Sequence, residues 1–215
     1  MKINKTAVAG APIAAADMEL INGLAMQELS PDDVFTFRVE ACNDLIDRDN
    51  ERFPLDTLRK LAELFAGKTV ICDHRWTATE QRARIYKTYI EDRGTRNALI
   101  AECYMLRTES TKEMITAIKG GILKEVSIGC AISKAVCSIC GKEYGTCGLE
   151  KGYAFDGRLC FTDLCDPIDA YEMSFVAVPA QRDAGVTKSF EQGWTDAEKE
   201  AARIQLEIEN ERWKF

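Results

Sequence analysis

A chain of 215 residues, 46% hydrophobic and 29% charged, can bury one sizeable core, so one globular domain with modest terminal extensions is expected. The formal net charge of -7 and an isoelectric point near 5.0 exclude a general affinity for nucleic acid or anionic membrane, both of which need a basic field. Protein or peptide partners fit better, and no apolar run approaches the length that spans a bilayer.

Residues 1–32 carry Ala, Gly and acidic residues without a sustained period and end in Ser30-Pro31-Asp32-Asp33. Lys2 and Lys5 precede an Ala/Gly-rich stretch that lacks the leucine-type core of a secretion signal. A flexible N-terminal arm followed by a turn is therefore expected. The β-branched and aromatic alternation of residues 34–41 predicts a strand, and residues 47–51 a polar loop. Pro54 opens a helix whose Leu55, Leu58, Leu61 and Leu64 recur at core-facing spacing, and Gly67 closes it.

Residues 69–73 (Thr-Val-Ile-Cys-Asp) read as a short buried strand that delivers His74, the only histidine of the chain, at its end. Strands are predicted near 83–90 and 98–106, separated by an Asp-Arg-Gly turn. Residues 110–119 predict a helix with Ser110 and Glu113 at capping-box spacing, stopped by Gly120-Gly121. In the strand that follows, Val126, Ile128, Cys130 and Ile132 fall on one face. Ser127, Gly129, Ala131 and Ser133 fall on the other, a strip of small residues that lets a backbone or substrate approach closely. A serine hydroxyl is a poor nucleophile until an imidazole accepts its proton, so chemistry at Ser127 requires His74. The plainer reading makes Ser127 a small filler and His74 a satisfied strand-end histidine.

Nine cysteines, an odd number with five packed into residues 137–165, favour a reducing compartment and a local metal site over a disulfide framework. Cys137-x2-Cys140 followed by Gly141 has the spacing of a zinc knuckle. Cys147 with Cys160, or alternatively Cys165, completes four thiolates for a closed, structural zinc. Reduced cysteines in a loop are the plainer alternative. Cys130 or Cys72 as a thiol nucleophile is disfavoured, since one alternates onto the apolar face and the other lies inside a buried strand.

Four ordered stretches carry a family resemblance: Ile71-Cys72-Asp73-His74, Lys124-Glu125-Val126-Ser127-Ile128-Gly129, Cys137-Ser138-Ile139-Cys140, and residues 170–180 (Ala-Tyr-Glu-Met-Ser-Phe-Val-Ala-Val-Pro-Ala). Over about residues 33–188 the chain resembles the prohead proteases of tailed bacteriophages, which are related in fold to herpesvirus assemblin. The resemblance implies an α+β protease domain: a mostly antiparallel, partly closed β-barrel with flanking helices, here carrying the 137–165 Cys-rich insertion. It implies a serine endopeptidase that digests the internal scaffold, and often capsid-protein extensions and itself, during capsid maturation in virion assembly. The family's nucleophile falls on Ser127 and its base on His74.

Herpesvirus relatives use a second histidine, which this chain lacks. Glu172 is the first choice for the acid that orients His74, because it lies in the motif-bearing strand and shares a face with Ser174 and Val176 by alternation, and Asp169 is the alternative. By analogy with assemblin, Arg182 is a candidate contributor to an oxyanion hole. Scaffold protein and major capsid protein are the expected partners, with homo-oligomerisation of the chain itself. The expected location is the host cytoplasm, inside the assembling prohead, with neither nucleic acid nor membrane as a partner and no catalytic cofactor. After a linker from residue 189, residues 195–215 predict an exposed amphipathic helix opened by a Thr195-Glu198 capping box. The competing expectation is a non-enzymatic, zinc-stabilised β-domain that binds assembly partners of the prohead.

Overall fold

In a computed structural model, which describes residues 13–190 with side chains to residue 187, the apolar patterns resolve into strands, helices and two 3-10 turns. In chain order these are α1 (Ala15–Leu24), a 3-10 turn (Pro31–Asp33), β1 (Val34–Asn43), β2 (Glu51–Arg52), α2 (Leu55–Phe65) and β3 (Thr69–Cys72). A second 3-10 turn (Ala78–Glu80) leads to β4 (Ala83–Asp92), β5 (Asn97–Leu106), α3 (Lys112–Lys119) and β6 (Val126–Cys137). Then come β7 (Ala154–Phe155), β8 (Arg158–Leu159), β9 (Thr162–Phe175) and β10 (Gly185–Phe190).

One mixed sheet runs β10-β1-β5-β4-β3-β9-β2, and β6 pairs antiparallel with β9 along its length. Residues 172–175 pair in parallel with β3 and antiparallel with β6, so β9 lies between them. This is an α+β fold with three α-helices, and no closed barrel is found among the described residues. Closure would need a ladder between β6 and β10; among the described residues the two approach through the isolated Glu125–Gly185 bridge just before β6 and the flanking Val126 N–H to Ala184 and Val186 N–H to Lys124 carbonyl bonds.

The core fills the space between this sheet and α2. Leu58, Leu61, Ala62 and Phe65 are the buried face of α2, so its leucine spacing marks core, as expected. They pack with Phe37, Val70, Met173 and Phe175, and the Phe37 and Phe175 rings lie 5.9 Å apart. Burying each such side chain contributes about 1.5–3 kcal/mol. Gly67, with φ of 80°, takes the left-handed conformation that ends the helical region.

Several expectations need correction. Residues 15–24 are not an arm but helix α1, because Met18 and Ile21 pack with Leu29, Val34, Tyr86 and Tyr104 in a second cluster. The Ser110–Glu113 capping box does not form, since α3 begins two residues later. There the Thr111 hydroxyl accepts from the Thr108 N–H at 2.9 Å and donates to the Leu106 carbonyl at 2.6 Å. β10 extends to Phe190, past the expected start of the linker. Residues 1–12 and the predicted 195–215 helix lie outside the described residues.

β1 is buried on both faces rather than one. Its Glu40, 1% exposed, accepts from Arg93 Nη1 at 2.8 Å, Arg96 Nε at 2.9 Å and Asn43 Nδ2 at 2.9 Å. Asn43 extends the network: its N–H donates to Gln181 Oε1 at 2.5 Å, and its carbonyl accepts from Gln181 Nε2 at 2.9 Å. Arg48 Nη1 donates to the Pro179 carbonyl at 2.5 Å. Residues 179–181 are thereby pinned beside β6. Removing the shared carboxylate takes from Arg93 and Arg96 their one buried partner and leaves them the more exposed Glu91 and Asp183, so Glu40→Ala is expected to lower the unfolding free energy by roughly 3 kcal/mol, measured by urea denaturation.

Candidate active site and cysteine cluster

β3 ends at Cys72, and the next two residues take the left-handed conformation, Asp73 at φ 52° and His74 at φ 51°. Asp and His tolerate this region better than most residues, at a cost of order 1 kcal/mol each. The surrounding backbone enforces it. Asp73 N–H donates to the Phe175 carbonyl at 2.9 Å, and Arg75 N–H to the Cys72 carbonyl at 3.0 Å. His74 N–H donates to Ser174 Oγ at 2.8 Å. The turn thus folds the imidazole back over β9, where Nδ1 lies 2.8 Å from Glu172 Oε1. The carboxylate is 3% exposed and the imidazole 42%.

A β-bulge aims that carboxylate. Gly129 pairs with Glu172 and Cys130 with Ala170, leaving Tyr171 as the extra residue of β9. Ala170 and Met173 therefore both enter the core, while Glu172 joins Ser174 on the opposite face. Gly129 supplies the space: a Cβ there would lie 2.5 Å from Glu172 Oε1. The small-residue strip of β6 does admit a close neighbour, and that neighbour is the carboxylate.

Ser127 pairs directly with Ser174, one cross-strand step from the residue that binds the His74 backbone. Among the described residues its hydroxyl makes no hydrogen bond. The structure therefore joins His74 to Glu172 and leaves Ser127 in the neighbouring strand position without a bond to the imidazole. A cavity of about 340 Å³ opens at Ser127, lined also by Gly129, Asp47, Glu51, Phe53 and Gln181. Residues of both faces of β6 line it, and neither His74 nor Glu172 does. Burial pushes the Asp47 carboxyl above its usual range, although the Glu51 and Asp49 N–H groups oppose this.

The remaining candidates separate cleanly. Asp169 pairs with Lys68 at 3.2 Å and accepts the Ala170 N–H at 2.8 Å, so it is committed away from His74. Arg182 is exposed and does not line the cleft, whereas Ala180, Gln181 and Ala184 do. Burial pushes the Cys130 thiol up to about 11 and raises that of Cys72, which weakens both as nucleophiles.

At the far end of the β6–β9 hairpin, the sulfurs of Cys137, Cys140 and Cys147 lie within 4.8 Å of one another. Cys160 Sγ is 3.8 Å from Cys137 Sγ. These four could bind a metal. The Cys140 N–H directed at Cys137, aided by the Ile139 N–H, lowers the Cys137 thiol to about 7, a bias towards the thiolate that ligation needs. Gly141, Gly145 and Gly148 all have positive φ, which lets the loop wrap tightly round the sulfurs. Cys165 does not join them, because it lies within β9 opposite Lys134, further along the hairpin than the Cys137–Thr162 pair.

Strand alternation puts Ser174 on the Glu172 face but gives no sign of its role as the brace for the His74 backbone. It also missed the Tyr171 bulge and the packing of Tyr171 on Trp76, for which only the two aromatic residues themselves gave a signal. Comparison of the chain with protein-family models, with curated proteins and with solved structures finds no match.

Because His74 is the only histidine, its ring nitrogens report on the pair without ambiguity. Gly129→Ala is expected to displace Glu172, shift the His74 ¹⁵N resonances and destabilise the fold by about 1–3 kcal/mol, as read by ¹H–¹⁵N NMR and thermal melting.

Proposed function

We propose that this chain is a serine endopeptidase, with Ser127 as nucleophile, His74 as general base and Glu172 as the orienting acid. The observation that carries this reading is the 2.8 Å contact between His74 Nδ1 and the buried Glu172 carboxylate. A proton held on Nδ1 by Glu172 leaves Nε2 to accept the Ser127 proton as Oγ attacks the scissile carbonyl. The imidazolium then protonates the leaving amine, and water, deprotonated by the same nitrogen, resolves the acyl-enzyme. Glu172 stabilises the imidazolium without itself taking the proton.

The resemblance of the four sequence stretches to prohead proteases supplies the biological setting of the proposal. Scaffold protein, and capsid-protein extensions or the chain itself, would be substrates inside the assembling prohead, in the host cytoplasm, with an assemblin-like, partly closed barrel and homo-oligomeric assembly. An acidic surface suits polypeptide partners better than nucleic acid. No helix among the described residues is long and apolar enough to cross a membrane.

Cys137, Cys140, Cys147 and Cys160 make up the donor set for zinc, since four thiolates favour a closed tetrahedral site. Zinc there is structural: it staples the end of the hairpin whose other end carries Ser127 and Glu172. The second reading, a zinc-stabilised assembly module without catalysis, draws on the Ser127 hydroxyl having no bond to His74 among the described residues.

Co-expression with the cognate scaffold protein, followed by intact mass spectrometry, separates the two readings. Wild type is expected to cleave scaffold, Ser127→Ala to leave it whole, and Glu172→Gln to slow cleavage on the order of 10²–10⁴-fold; equal processing by wild type and Ser127→Ala contradicts the assignment. The purified chain is expected to hold one zinc by elemental analysis. Cys140→Ser is expected to lower that content, and a chelator to lower the thermal midpoint. A metal-free chain of unchanged stability would contradict the structural role.

A further inference from the structure

A second cavity, of about 470 Å³, lies over β3 and β9, on the other side of the His74–Glu172 pair from β6. Its wall is an aromatic pair. The Trp76 and Tyr171 rings stand 5.1 Å apart at 57°, and they are 66% and 41% exposed. The bulge that turns Glu172 beneath His74 is what sends Tyr171 outward, so this wall and the His74–Glu172 pair are built by one backbone feature. Ile71 and Ala78 add apolar lining, while Lys68 and Asp169 pair with each other at 3.2 Å and leave the cavity without a strong charge preference.

Two lining residues carry buried oxygens with no hydrogen-bond partner, Thr69 Oγ1 and Glu172 Oε2. A buried carboxylate oxygen lacking a donor is costly. The cavity thus offers an aromatic wall, and two of the residues that line it hold an unpartnered acceptor and an unpartnered hydroxyl that can donate or accept. From this we infer that it is a specificity pocket for an aromatic side chain of the substrate polypeptide, tyrosine before tryptophan before phenylalanine. The ring packs against Trp76 and Tyr171, and the tyrosine O–H donates to Glu172 Oε2 while accepting from Thr69 Oγ1. Binding there also fixes the carboxylate that holds His74, so occupancy favours the orientation that the reaction needs.

This inference rests on the endopeptidase reading, and binding can be tested apart from cleavage. The full-length Ser127→Ala chain is applied to an array of randomised octapeptides, alongside Ser127→Ala/Trp76→Ala, whose fold is checked by circular dichroism. Enrichment of tyrosine or tryptophan at one position by about tenfold over alanine, lost in the Trp76→Ala variant, is the expected result. No aromatic enrichment, or the same enrichment without Trp76, overturns the pocket. Enrichment accompanied by a wild-type chain that cleaves none of the bound peptides upholds the pocket and overturns the endopeptidase reading instead.

Discussion

Glu172 is a carboxylate almost completely removed from water, and a charge in that position must find partners or be neutralised. Its main partner is His74, and much of the surrounding geometry makes that contact possible. The bulge at Tyr171 turns the side chain to the correct face, and Gly129 yields the space for it. The consecutive left-handed residues Asp73 and His74 bring the imidazole back over the strand, while Ser174 holds the His74 backbone. Two residues in a sparsely populated conformation, a bulge and a glycine at a 2.5 Å approach are individually unfavourable or restrictive. Their convergence on one hydrogen-bond geometry is the pattern expected where positioning matters more than local stability.

The β6–β9 hairpin ties this geometry to the cysteine cluster. One end of β6 holds Ser127 and Gly129, and the other holds Cys137; β9 begins just beyond Cys160 and carries Glu172 and Ser174 near its end. Because the two strands pair along their whole length, fixing the cysteine end limits sliding and fraying at the end that carries Ser127 and Glu172. A one-residue slip would move Ser127 and Glu172 to opposite faces of the sheet. The parallel pairing of β3 with residues 172–175 performs the same service for His74.

Much of the fold was legible because its elements are strongly periodic. The leucines of α2, the β4–β5 pair around Gly94 and the short strand before His74 all follow from local pattern. α1 escaped notice since only Met18 and Ile21 bury, and their partners Tyr86 and Tyr104 are distant in sequence. The burial of Glu40 in β1 is not legible from alternation, because the arginines that allow it lie in the β4–β5 turn. At the site, strand alternation correctly placed Ser127 with Gly129 and Glu172 with Ser174. A bulge is invisible to alternation, so neither the outward turn of Tyr171 nor the commitment of Asp169 to Lys68 could be read from spacing. The choice of Cys160 over Cys165 likewise depends on hairpin register, which cysteine counting does not supply.

The account turns on whether the His74–Glu172 pair activates Ser127. The most direct measurement is covalent labelling of the full-length chain with a fluorophosphonate, with the adduct located by peptide mass spectrometry. One adduct is expected, on Ser127, with its formation lost in His74→Ala and strongly slowed in Glu172→Gln. An unlabelled Ser127, or labelling indifferent to the loss of His74, would contradict it.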